Sequence, residues 1–231
     1  MLRLVLVAGV VVTVFIVWMV HRAIKKARHQ KLMVKPFPPE WEAILHSHFP
    51  LYDRLSPELQ KELRGKVHIF LDEKNFEGAG GLELTDEIRV SIAAQACFLL
   101  LNRQAEVYPG LVTVVVYPST YKHADRIIPG VVGDGGATVA GESWGTDLVV
   151  LAWNQVEKGA KNIHDGHNVV FHEFAHQLDA ANGDTDGVPV LEKGSSHDMW
   201  AMVCQEEFNS LVDNLSNHKK LVMDRYGATN P

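Results

Sequence analysis

The hydrophobic positions change period several times along the chain, and each change predicts an element. Leu4 to Val20 (LVLVAGVVVTVFIVWMV) run 17 residues without a charge, at the short end of what a membrane-spanning helix needs. The basic stretch HRAIKKARHQK follows. KPFPPEW (35–41) breaks the pattern, because its paired prolines predict an extended join, with the folded chain beginning near Trp41. Ser56, Pro57 and Glu58 supply a cap, a first-turn proline and an acid, so a helix is expected from there to about Arg64, before Gly65. VHIFL (67–71) then reads as a short strand.

Thr85, Asp86 and Glu87 open a helix that continues through IRVSIAAQACFLLL to about Leu101; it is apolar nearly all round, which places it at the centre of the core. LVTVVVYP (111–118) and DLVVLAW (147–153) predict strands. Between them, six glycines from Gly130 to Gly145 predict a turn-rich segment. HNVVFHEFAHQLDAANG predicts a helix from about Asn168, stopped by Asn182 and Gly183, and HDMWAMVCQEEFNSLVDNL predicts another after it. Strands and helices mixed without strict alternation give the class α+β.

At 231 residues and 46% hydrophobic content, the chain fits one domain behind an appendage. The expected boundaries are 1–31 for an N-terminal anchor with its basic flank, 32–40 for a proline-rich linker, and 41–231 for the folded domain. Charge sharpens the first of these. A cleaved signal peptide carries its positive charge before the apolar run, whereas Arg22, Lys25, Lys26, Arg28 and Lys31 come after it and only Arg3 before. That asymmetry predicts an uncleaved single-pass helix in the inner (cytoplasmic) membrane, with the domain facing the cytoplasm.

Removing the six basic residues of 1–31 leaves 16 Lys and Arg against 28 Asp and Glu, a net charge near −12. Such a surface argues against a nucleic-acid partner. The two cysteines, Cys97 and Cys204, both lie in apolar helical stretches, where small buried side chains are expected and a disulfide is not needed.

The candidate chemistry lies in FHEFAHQLD (171–179). On a helix His172 and His176 share one face, one turn apart, where two neutral imidazoles can coordinate Zn²⁺. Glu173, beside the first histidine, is placed to take a proton from water activated by the metal, which makes peptide hydrolysis the expected reaction. Asp179, three residues beyond His176, either holds a ligand imidazole by its other nitrogen or solvates the helix end. Zinc needs a third protein ligand. The longer peptidase motif HExxHxxGxxH is excluded, because Asp179 and Asn182 stand where its glycine and third histidine belong. Glu192, His197, Glu206, Glu207, His218 and Asp224 remain open, with Glu207 favoured by falling on the apolar face of its helix.

FPPEWEAIL, FEGAGGLELTDEIRVSIAAQACFLLLN, VVYPSTY, GESWGTDLVVLAW, HEFAHQLDAANGDTDGVP and YGATNP, in that order over 37–231, resemble the zinc-dependent peptidase family of Mlc titration factor A. The resemblance implies a zincin-like metallopeptidase fold, distantly like the catalytic domain of anthrax lethal factor, and aminopeptidase-like activity. In the founding member it also implies binding to a transcriptional regulator of sugar uptake, so a regulator-sequestering protein with incidental peptidase activity is the alternative. It makes His172 and His176 metal ligands, Glu173 the base, and Tyr226 a catalytic tyrosine that donates to the oxyanion. The family's third ligand would follow Tyr226 by seven residues, two positions beyond Pro231, so the domain reads as truncated at its C-terminus and this form is expected to bind zinc weakly. In zincins the segment before the motif helix pairs with substrate, which puts Gly141, Glu142, Ser143 and Trp144 in the substrate cleft.

Overall fold

The computed structural model describes residues 2–103, 106–122, 138–139, 141–144, 147–183, 187, 191 and 196–219. Among them are seven α-helices, α1 (Leu2–Met33), α2 (Pro39–His48), α3 (Pro57–Glu73), α4 (Asp86–Phe98), α5 (Trp153–Lys161), α6 (Val169–Asp179) and α7 (His197–Ser216). Six short strands accompany them: β1 (Asn75–Gly78), β2 (Thr113–Tyr117), β3 (Tyr121–Lys122), β4 (Thr138–Val139), β5 (Gly141–Trp144) and β6 (Leu148–Ala152). The fold is therefore mostly helical around a small, mainly parallel sheet, and this corrects the α+β, zincin-like expectation.

The physical reason lies in α3. VHIFL, expected as a strand, is the middle of that helix, and Gly65, expected as its stop, lies inside it. Residues 65–70 are all buried, so the segment shows no amphipathic stripe from which its period could be read. Gly65 is there for contact: a Cβ on it would stand 2.7 Å from Met33 Sδ and 3.0 Å from Met33 Cα on α1. Likewise Pro39, in the expected linker, is the first residue of α2, a position where the missing N–H costs nothing.

α1 continues without a break through the basic flank. Lys25 pairs with Glu106 at 2.8 Å, Arg28 with Asp72 at 2.7 Å, and His29 with Glu73 at 2.6 Å, which binds the second half of the helix to α3 and to the segment after α4. Among the described residues no helix is long and apolar enough to cross a membrane. The expected single-pass anchor, and the inner-membrane location with a cytoplasm-facing domain that followed from it, are corrected by that finding.

The sheet order is β1-β2-β6-β5. β2 runs parallel to β1 and to β6, while β5 lies antiparallel to β6 with Gly141 opposite Leu151 and Trp144 opposite Leu148. Val114, Val116, Val149 and Leu151 point into the main core with Val90, Ile92, Ala93 and Ala94 of α4 and Leu63, Val67 and Phe70 of α3. α4 is capped by Thr85, whose side chain accepts from Ile88 N, and nine of its thirteen residues are buried, as its composition predicts. Cys97 is buried on it; Cys204, on α7, is exposed.

Candidate metal site

The motif helix is fixed at its start by Asn168. Its side-chain oxygen accepts from Phe171 N at 2.9 Å, while its amide donates to Gln95 Oε1 at 2.9 Å and to Gly159 O at 3.3 Å. One side chain thus caps α6 and ties it to α4 and α5. Val170, Glu173, Phe174 and Gln177 recur at i, i+3, i+4 and i+7 and make the buried face. Phe174 meets Tyr108 at 4.8 Å and Phe70 at 5.7 Å between ring centroids, and Phe171 stacks on Phe98 at 5.7 Å.

That anchorage turns the other face outward. His172, Ala175, His176 and Asp179 line a cleft of about 640 Å³ together with Leu101, Asn102, Arg103, Leu178, Gly187, Leu191 and Trp200. The two imidazole Nε2 atoms stand 3.2 Å apart, with ring planes at 87°. Burial, and then the neighbouring His176, push the His172 pKa below the ordinary histidine value, which keeps its lone pair free of a proton at neutral pH. Glu173, 5% exposed, lies on the core side of the helix next to His172. Asp179 Oδ1 is buried and has no hydrogen-bond partner among the described residues.

These features test whether a metal ion fits. Two nitrogens held tetrahedrally at about 2.0 to 2.1 Å from one zinc ion are separated by about 3.3 Å, so the observed spacing is the bite that such an ion requires. The orphaned Asp179 oxygen beside the pair is the kind of acceptor that a ligand imidazole N–H, or the ion's bound solvent, would satisfy. The donor set fits a divalent transition metal.

The described residues bring only the two histidines together as ligands. Among them no third His, Cys, Asp or Glu clusters with the pair. Glu206, Glu207, His197 and His218 are exposed, and the apolar face expected to carry Glu207 inward leaves Val203 and Cys204 exposed too, with only Leu211 buried on α7. Glu192, Asp224 and Tyr226 lie outside the described residues. For Gly141, Glu142, Ser143 and Trp144 the backbone is described and the side chains are not: it forms β5, at one end of the sheet order and in contact with α6. Sequence reasoning missed Leu101, Asn102 and Arg103, the turn after α4, as cleft residues. Asn102 holds a left-handed φ of 59°, and an asparagine after a long apolar helix was the available signal.

A helix that offers two imidazoles to a cleft, with a carboxylate adjoining them, defines the class of metal-dependent hydrolases. The family described as Glucose-regulated metallo-peptidase M90 matches residues 23–231, and the chain belongs to it. An uncharacterized protein of Synechocystis sp. is 41% identical over 207 residues, 88% of this chain and 75% of its own length. Mlc titration factor A of Klebsiella pneumoniae is 32% identical, covering 83% of this chain and 72% of its own, and that of Cronobacter sakazakii 30%, covering 89% and 77%. The resemblance drawn from the sequence blocks is met by these relatives.

Proposed function

We propose that this protein is a zinc-dependent metallopeptidase of aminopeptidase type, acting on peptide or protein substrates. The observation that carries the reading is the 3.2 Å approach of His172 and His176 Nε2 at the mouth of a cleft. Bound zinc would supply Lewis acidity toward a peptide carbonyl and toward water. His172 and His176 would hold it, each as a neutral imidazole. Glu173, held on the buried face next to His172, must turn toward the cleft to accept the proton of the attacking water and pass it to the leaving amine. Asp179, whose Oδ1 has no partner among the described residues, orients the imidazole of a ligand. Tyr226 donates a hydrogen bond to the developing oxyanion. An extended peptide pairs with β5 along Gly141, Glu142, Ser143 and Trp144, whose main chain supplies affinity without side-chain selectivity.

Metal analysis and a peptidase assay on the intact chain and on Glu173→Gln test this. Cleavage should fall by at least 10²-fold in the variant while bound metal is retained, since general-base catalysis contributes about 10²- to 10⁴-fold. Undiminished cleavage by Glu173→Gln would sink the reading.

A second reading is favoured by the relatives named Mlc titration factor A: binding to a transcriptional regulator, with hydrolysis incidental. Glu173→Gln should then still bind a purified Mlc-type repressor as tightly as the unaltered chain does.

A further inference from the structure

A second constellation of metal-ligating side chains lies away from the motif. His48 is the last residue of α2, Glu87 lies in the first turn of α4, and Glu157 in the middle of α5. Each offers one ligand atom, and these atoms all lie within 4.8 Å of one another, the one such group of three among the described residues. We propose that His48, Glu87 and Glu157 form a divalent transition-metal site that clasps α2, α4 and α5 together.

The geometry needs little adjustment. His48 Nε2 and Glu87 Oε1 are 3.4 Å apart, already the separation of two ligand atoms on one tetrahedral ion, which is about 3.3 to 3.5 Å. Glu157 is 32% exposed at its side chain and can swing inward by turning its terminal torsions. Its present partner, Lys161 at 3.3 Å, is an exposed neighbour one turn along the same helix, a weak competitor for a carboxylate. An ordinary His48–Glu87 ion pair is the plainer explanation, but it gives no role to Glu157, whose carboxylate comes from a third helix to within 4.8 Å of the other two ligand atoms. One imidazole with two carboxylates suits Zn²⁺ or Mn²⁺ and not Ca²⁺ or Mg²⁺, which take oxygen donors.

The site has a structural consequence for α6. Gly159, two residues beyond Glu157, accepts from the Asn168 amide, and Gln95 of α4 takes the other bond of that amide. An ion joining α4 to α5 therefore braces the two elements that hold the cap of the motif helix.

The proposal is independent of the motif's role, and its test removes the motif first. In the full chain carrying His172→Ala and His176→Ala, equilibrium dialysis should still find one Zn²⁺ per molecule, and Zn²⁺ but not Mg²⁺ should raise Tm. Adding Glu157→Gln should weaken uptake roughly tenfold or more and abolish the Tm rise, because even outer-shell changes at metal sites cost 10- to 100-fold. Glu87→Gln should do the same, and circular dichroism showing unchanged helix content keeps both results interpretable. No zinc bound in the motif-less chain, or equal uptake after Glu157→Gln and Glu87→Gln in folded protein, would overturn the site.

Discussion

Gly159 and Asn168 touch backbone to backbone: a Cβ on Gly159 would stand 3.0 Å from Asn168 Cα and 3.1 Å from His167 O. α5 can approach the start of the motif helix only because residue 159 has no side chain. Gly159→Ala sets a gain of about 1 kcal/mol in helix propensity against overpacking that costs about 1 to 3 kcal/mol. The neighbours here are backbone atoms and cannot turn aside, so the loss should win. Denaturant unfolding should show a net destabilisation of up to about 2 kcal/mol, and a stabilised variant would refute the contact.

Asn168→Ala should cost more. It removes a helix cap, worth about 1 kcal/mol, and leaves the buried Gln95 Oε1 without its donor, which costs about 1 to 3 kcal/mol. Asn168→Asp keeps the oxygen that accepts from Phe171 N but loses the amide that reaches Gln95 and Gly159. Its stability should fall between those of Ala and the unaltered chain; equality of the two variants would mean that the cap contributes nothing, and equality of Asn168→Asp with the unaltered chain that the link to α4 contributes nothing.

Lys66 is buried on α3 and donates to Leu100 O and Arg103 O, both at 2.8 Å. These carbonyls belong to the turn whose Leu101, Asn102 and Arg103 line the cleft. Lys66→Met strands both acceptors and should cost at least about 2 kcal/mol. It should also raise KM for peptides more than it lowers kcat, because the turn shapes the cleft. A pure stability loss with unchanged KM would contradict that placement.

His68 packs between Phe37 and Trp41, with ring centroids at 5.2 and 5.5 Å. Burial, and then Lys35, hold its pKa below the ordinary value of 6.5. The unfolded chain therefore binds this proton more readily than the folded one. The contribution is absent above about pH 6.5 and becomes a destabilisation as pH falls through that value, levelling off below the folded pKa. In His68→Phe the drop in stability between pH 7 and pH 5 should be smaller than in the unaltered chain. Parallel curves would remove His68 from the acid response.

Much of the site was legible in the sequence for a simple reason. Asn168, Phe171 and Phe174 give a cap and an apolar stripe on one short helix, and spacing alone then fixes where His172 and His176 point. The same holds for α4 and for β2 and β6, whose β-branched runs have no other use. α3 was illegible past Arg64, because a helix buried on every side has no period to reveal, and Gly65 imitates a stop when its purpose is to admit Met33. β1 was missed because NFEG is short and mostly exposed; its pairing with β2 makes it a strand, and no local preference does. The uncharged N-terminal run misled in the opposite way: its composition says nothing of the ion pairs by which the next three turns of the same helix grip α3.

Lys66 and Lys74 both bury their ammonium groups and direct them at main-chain carbonyls of the segment after α4, Lys74 reaching Tyr108 O at 2.8 Å. Burial also pushes the Lys74 pKa below the ordinary lysine value. Acylating reagents in solution would thus modify the outer lysines first and reach these two only when the segment lifts away. The pair is a built-in chemical clock for that opening.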